Sequence, residues 1–83
     1  DDVIRYDLPS PELAIDVLKN KLAILNTKKM KWEEIGQVTV GLSQAELVRA
    51  AETAMKSAIL QNKKTISTKE LKIALEARHV SNT

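Results

Sequence analysis

Few side chains in this sequence could act as catalysts or metal ligands. The only histidine is His79, near the end of a predicted helix, and we interpret it as a charge beside a helix C-terminus. Glu33 and Glu34 are adjacent carboxylates with no histidine or third acid placed beside them, so solvated surface residues are the preferred interpretation over a metal site or an acid/base pair. The sequence has no GxxxxGK[ST] phosphate-binding loop. It has no cysteine either, which excludes disulfides and thiolate metal sites.

The basic residues include two clusters, one at Lys28, Lys29 and Lys31 and one at Lys63 and Lys64. Both are predicted at helix ends, where cations favour the terminal carbonyls. The net charge is only +2 and no aromatic residue is interleaved with the lysines, so we expect no nucleic-acid partner. A small nucleic-acid-binding helical domain stays open as an alternative, and it predicts salt-sensitive binding through these lysines.

Composition favours one small domain of closely packed helices. Hydrophobic residues are 43% of the chain and charged residues 29%, a balance typical of globular rather than disordered proteins. The aromatic share is only 2%, so Leu, Ile, Val, Ala and Met must build the core.

No apolar run approaches the roughly 20 residues that span a bilayer, and no signal peptide is visible. We expect no membrane segment in this chain and a cytoplasmic location. Because it begins on Asp1 without Met, we also expect it to be a piece of a longer protein.

Helix start and stop signals divide the chain into an extended arm and four helices. The β-branched residues near the start predict a strand or extended arm. Ser10 is a good N-cap before Pro11 at the first helical position, and apolar residues then recur at helical spacing. The predicted elements are an arm at 2–6, helices at about 11–26, 32–40, 43–61 and 67–78, a short extended pair at 65–66 and a frayed tail at 80–83.

The sequence GLSQAEL, residues 41–47, joins a helix stop to a helix start. Gly41 suits a left-handed C-terminal cap. Ser43 and Glu46 stand three apart, which predicts a capping box: the Ser43 hydroxyl accepts from the Glu46 amide, and the Glu46 carboxylate reaches back to the Ser43 amide. Ser67 and Glu70 repeat the pattern before the last helix. Both helices should therefore begin with the same closed cap.

Four segments of this chain, in their order, resemble the C-terminal helical lid of AAA-type ATPases. The segments are LPSPELAIDVLKNKL, a short helix, GLSQAELVRAAETAMKSAI and TISTKELKIAL. The resemblance covers about Val3 to Ala77 and is most specific from Gly41 to Leu47. It implies an all-α, four-helix AAA+ lid-type bundle. Residues 1–9 would form an extended arm and hinge from an ATPase core, and residues 10–79 the lid.

The resemblance also implies where a nucleotide would lie. In these ATPases it binds between the large domain and the lid, with the N-terminus of the third lid helix toward the phosphates and adenosine. That places Gln44 and Ala45 near the nucleotide, directly after the Gly41 turn. The first lid helix lines the adenine pocket, which implies that Val17 lies closest to the base and Lys21 one turn further.

Two residues depart from the family pattern. The family often has glycine where Gln44 stands, and the longer side chain must either cap the turn or crowd the ligand. Many relatives in the wider AAA+ class carry a phosphate-sensing arginine where this chain has Ala45. Arg49 lies one turn on and is a candidate for the same task, although a solvated or lid-surface arginine is the preferred interpretation.

The function implied by the resemblance is that of a closing lid and lever. The parent ATPase would bind ATP and Mg²⁺, and this lid would rotate about a hinge at Tyr6–Pro9. It would pack on its own ATPase core and on neighbouring subunits of a homo-oligomeric ring, commonly a hexamer, which acts on a protein substrate. Alone, the chain is expected neither to hydrolyse ATP nor to bind it tightly. A stand-alone helical protein-interaction module is the main alternative.

Overall fold

The computed structural model describes residues 8–81, with side chains as far as His79. In chain order its helices are α1 Pro11–Lys21, α2 Trp32–Thr39, α3 Gln44–Leu60 and α4 Thr68–Ser81. No strand occurs within residues 8–81, so the predicted all-α class is confirmed. The arm predicted at 2–6 and the first residues of the predicted hinge lie outside the described part of the chain.

The helix α1 begins as predicted but ends earlier. Ser10 is its N-cap, and the Ser10 hydroxyl accepts a hydrogen bond from the Leu13 amide at 3.2 Å. The predicted end at Asn26 is wrong, because α1 stops at Lys21. The Asn26 amide donates instead to the Lys64 carbonyl at 2.7 Å, and Asn26 forms a parallel bridge with Thr65. Pairing with a distant segment therefore replaces the last turn of the predicted helix.

The bridge supports the extended conformation predicted at residues 65–66. The Ile66 amide donates to the Asn26 carbonyl at 3.3 Å, on the other side of the same contact. Just before this segment, α3 ends in a Schellman motif: the Asn62 amide donates to the Ile59 carbonyl and the Lys63 amide to the Ala58 carbonyl. Asn62 supplies the left-handed residue, with φ of 58°. The sequence QNKK thus ends α3 where predicted.

Aliphatic side chains build the core, as the composition predicts. The helix α3 packs on α1 and α4, and α2 packs on the same two helices, which closes a four-helix arrangement. The largest fully buried side chains are Leu18, Leu22, Ile35, Leu42, Leu47, Leu71 and Leu75. Alanines at 50, 51, 54 and 58 line the buried face of α3 and let its neighbours approach closely. Ile59 of the same helix is half-exposed.

The helix α4 starts with a complete capping box and runs longer than predicted. The Glu70 amide donates to the Ser67 hydroxyl at 3.1 Å, and the Ser67 amide donates to the Glu70 carboxylate at 3.0 Å. The helix continues to Ser81, so the predicted end at Arg78 is wrong; residues 82–83 of the predicted tail lie outside the described part of the chain. Side chains in its last turn contact α2 and α3, which stabilises the extra residues.

Candidate functional site

The turn between α2 and α3 is fixed by a glycine backbone conformation and by buried side chains. Gly41 has a φ of +91°, a backbone conformation that glycine adopts far more readily than other residues. Leu42 follows with a fully buried side chain, and its amide donates to the Thr39 carbonyl at 3.0 Å. Thr39 is itself buried, and its hydroxyl donates to the Gly36 carbonyl at 2.6 Å. The turn is therefore held at a defined angle before α3 begins.

The N-terminus of α3 is partly capped and partly open. The Ser43 hydroxyl accepts from the Glu46 amide at 3.3 Å, as predicted. Gln44 and Ala45 are the first two helical residues, and both are exposed. Within residues 8–81 no hydrogen-bond acceptor lies on the Ser43, Gln44 or Ala45 amides. These free N–H groups, at the positive end of the helix dipole, can donate to an anion.

The second half of the predicted capping box does not form. The Glu46 carboxylate does not reach back to Ser43; its Oε1 atom accepts from Arg78 Nε at 2.6 Å. Both side chains are partly buried, with 19% of Glu46 and 25% of Arg78 exposed, and a charge-assisted bond in such surroundings is stronger than one on an open surface. Arg78 was absent from our candidate residues, because no local signal relates residues 32 positions apart.

His79 lies beside the same turn. It is in the last turn of α4, as predicted. Its Nε2 atom donates to the Val38 carbonyl of α2 at 2.6 Å. A Cβ atom added at Gly41 would lie 3.7 Å from the His79 ring. Arg78 and His79 therefore tie the end of α4 to both helices that flank the turn.

The predicted site residues fall into two groups. Gly41, Gln44, Ala45 and Arg49 lie together on the turn and the first part of α3, and all four are exposed. Val17 lies on α1, half-buried and packed against the core, so only part of its side chain could contact a base. Lys21, the last residue of α1, is exposed. Because α1 packs on α3, the two groups belong to helices in direct contact.

Lysines from both clusters line one cavity, which their separation in sequence did not predict. A cavity of about 770 Å³ is lined by Lys28, Lys29 and Lys63 together with the start of α4. The Asn26–Thr65 bridge brings the two connections side by side. Glu70 also lines this cavity, and its carboxylate lies 3.1 Å from Lys63 Nζ. A carboxylate on the wall makes the cavity a poor anion site, despite its lysines.

The same contacts lower the pKa of Glu70 below its ordinary value. The main cause is the hydrogen bond from the Ser67 backbone amide, followed by the one from the Lys63 side chain. Both favour the ionised carboxylate. Because the pKa is lower in the folded chain than in the unfolded chain, the stabilisation by Glu70 is present above the unfolded-state pKa and is lost as pH falls through the folded-state pKa.

We therefore expect Glu70→Gln to weaken the acid sensitivity of the fold. The amide can still accept from Ser67, but it has no charge to lose. Urea unfolding followed by circular dichroism should show a smaller loss of unfolding free energy than in the wild type between about pH 5 and pH 2. Glu76→Gln, which removes an exposed glutamate of the same helix, controls for net charge. Equal acid dependence in the wild type and Glu70→Gln would contradict this prediction.

Glu34, the second of the adjacent carboxylates on α2, lies near two lysines. Glu34 Oε1 is 3.5 Å from Lys72 Nζ of α4, and Glu34 Oε2 is 4.0 Å from Lys31 Nζ. These exposed ion pairs favour the interpretation of surface residues. Among residues 8–81 no group of three His, Cys, Asp or Glu side chains could hold a metal ion. None of the helices in that range is long and apolar enough to cross a membrane.

No model of a known protein family matches this chain, and no curated protein matches it in sequence. Within residues 8–81 the structure defines a small all-α arrangement of four helices, with an open helix N-terminus behind a glycine turn.

Proposed function

We propose that this chain is the helical lid of an AAA-family ATPase, which helps to enclose ATP and transmits hydrolysis-driven motion within a ring. The observation that carries the proposal is the turn at residues 41–45. It combines the most specific part of the family resemblance with a positive φ at Gly41 and with free amides at Gln44 and Ala45. Because these amides need no partner for folding, they are available to a ligand.

The chemistry of the α3 N-terminus fits the phosphate groups of ATP. Backbone N–H groups and the helix dipole both favour an anion there. Arg49 is exposed one turn further along α3 and would add a positive charge. Val17 and Lys21 on α1 would contribute to the adenine side. The described residues offer no cluster of acids for Mg²⁺, so we assign Mg²⁺, the phosphate loop and the catalytic groups to an ATPase core outside this chain.

In this proposal the lid acts by moving as a unit. Its helices share one aliphatic core, and packed cores transmit displacement with little internal deformation. Contacts at α3 would change as ATP becomes ADP, and the lid would rotate relative to its core and press on the neighbouring subunit of a homo-oligomeric ring. A protein substrate and a cytoplasmic location complete the proposal.

The proposal predicts that Gln44→Glu weakens ATP binding by the ATPase that contains this lid. A carboxylate next to the phosphates should raise the Kd for ATP about fivefold to tenfold, the effect of roughly 1 kcal/mol of repulsion in partly solvated surroundings. A glutamate at the first helical position interacts favourably with the helix dipole, so folding should not suffer. The measurement is the Kd for a fluorescent ATP analogue.

Gln61→Glu provides a matched control, since it is the same exchange at an exposed position at the opposite end of α3. It should leave the Kd for ATP unchanged. An unchanged Kd in Gln44→Glu would contradict the placement of Gln44 near the phosphates. Absence of a GxxxxGK[ST] loop from the region upstream of Asp1 would contradict the ATPase proposal as a whole and would favour a stand-alone interaction module.

A further inference from the structure

Two helices in this chain begin with the same Ser-x-x-Glu pattern, but only one of them closes its cap. At α4 the Ser67 amide donates to the Glu70 carboxylate at 3.0 Å. At α3 the Ser43 amide has no acceptor within residues 8–81, because Glu46 points to Arg78. The Ser-x-x-Glu spacing is the same in both places, but the cation that binds the carboxylate differs: Lys63 binds Glu70, and Arg78 binds Glu46.

The Glu46 carboxylate is bound by Arg78 of α4 and not by the Ser43 amide. The Arg78 Nε to Glu46 Oε1 distance is 2.6 Å, and the pair is about four-fifths buried on the Glu46 side. A charged donor in partly buried surroundings is a stronger partner than a neutral backbone amide. On the other side of the turn, His79 donates to the Val38 carbonyl at 2.6 Å. Arg78 and His79 of α4 thus contact the two helices on either side of the 40–43 connection, Arg78 at α3 and His79 at α2.

We propose that Arg78 is a positioning residue that keeps the N-terminus of α3 open, by holding the Glu46 carboxylate away from the Ser43 amide. Without Arg78, Glu46 closes the capping box and places a negative charge over the first amides of α3. That charge occupies the position where our proposed function puts the phosphates. The ligand part of this inference therefore rests on the proposed function, whereas the competition for Glu46 does not.

A merely structural role for Arg78 predicts the opposite change at Ser43. Loss of a supporting ion pair would loosen the turn and speed hydrogen exchange of the amides around it. Closure of the capping box would instead give the Ser43 amide a hydrogen bond that it lacks in the wild type. The direction of the change at this one amide therefore distinguishes the two explanations.

The test is amide hydrogen exchange, measured by NMR on this chain and on its Arg78→Met variant. Methionine keeps an unbranched apolar side chain but cannot donate to Glu46. We expect exchange at Ser43 to slow by about threefold to tenfold, as a hydrogen bond of ordinary net strength would cause. Lys56→Met makes the cation-to-methionine exchange at an exposed position in the middle of α3, and it should leave Ser43 exchange unchanged.

Two further variants identify the carboxylate that closes the cap. Arg78→Met combined with Glu46→Ala should restore fast exchange at Ser43, because no carboxylate remains to accept. Arg78→Lys keeps a cation for Glu46 and should behave like the wild type. Unchanged or faster exchange at Ser43 in Arg78→Met, or slow exchange that survives Glu46→Ala, would overturn the inference.

ATP affinity of the enzyme that contains this lid tests the part that depends on the proposed function. Arg78→Met should raise its Kd for ATP about threefold to tenfold, and the additional Glu46→Ala change should restore it. Slow exchange at Ser43 in the isolated chain together with an unchanged Kd would support the competition for Glu46 and count against the proposed function. Failure of the competition for Glu46 and failure of the proposed function therefore give different experimental results.

Discussion

Leu47→Ala is expected to lower the free energy of unfolding by about 3 kcal/mol. The Leu47 side chain ends the GLSQAEL motif and is fully buried in the first turns of α3. Its truncation removes buried methyl groups and leaves a cavity that the surrounding helices fill only partly. A chain of 83 residues has a total stability of roughly 4 to 12 kcal/mol. The expected loss is therefore a large fraction of the total free energy of unfolding. The substituted residue lies directly after the turn that we propose faces the ligand.

Leu60→Ala is the matched control for this prediction. It is the same exchange in the same helix, but the Leu60 side chain is 85% exposed. Its effect should stay within about 0.5 kcal/mol. Urea unfolding followed by circular dichroism measures both variants. Similar losses for Leu47→Ala and Leu60→Ala would contradict the placement of Leu47 in the core.

Gly41→Ala is expected to destabilise the chain by about 1 to 2 kcal/mol. The cause is the backbone and not a collision, because an added Cβ would have only an ordinary contact of 3.7 Å with the His79 ring. At a φ of +91° any residue with a Cβ is strained. The strain would act on the connection that sets the direction of α3, so local exchange at residues 42–45 should increase as well.

Gly36→Ala tests whether the backbone is the cause. Gly36 lies within α2, where alanine is the better helix former by up to about 1 kcal/mol. An added Cβ would lie 3.3 Å from the end of the Ile15 side chain and 3.7 Å from Pro11, so a small shift of Ile15 offsets part of that gain. The net change should be close to zero. Equal destabilisation by Gly36→Ala and Gly41→Ala, in urea unfolding, would contradict the argument from φ.

The helix starts were more predictable from sequence than the helix ends. The Ser10 and Ser43 hydroxyls each accept a hydrogen bond from the amide three residues later in the chain. Their positions just before segments of helical apolar periodicity predict these caps. The end of α1 was missed because Leu22 and Leu25 continue the apolar spacing after the helix has stopped. They remain buried in the turn. Hydrophobic periodicity reports which residues face the core, and it does not report whether the backbone between them is still helical.

The candidate site was predictable only in its local part. The glycine stop, the Ser43 cap and the exposed residues after it follow from a seven-residue sequence, since each interaction spans at most three positions. Arg78 donates to the Glu46 carboxylate, and His79 donates to the Val38 carbonyl. Each donor lies more than thirty residues later in the sequence than its acceptor. Likewise, the Asn26–Thr65 bridge brings the two lysine clusters to one cavity. No spacing rule relates such distant residues.

The sequence by itself determined the helical class, the aliphatic core and the positions where helices begin, because these depend on composition, periodicity and capping within a single turn. The tertiary structure decided which of two identical capping patterns closes. Ser67–Glu70 closes, and its carboxylate pairs with nearby Lys63 as well. At Ser43–Glu46 the packing of α4 brings Arg78 to the carboxylate. With the Glu46 carboxylate on Arg78, the Ser43, Gln44 and Ala45 amides have no hydrogen-bond acceptor within residues 8–81.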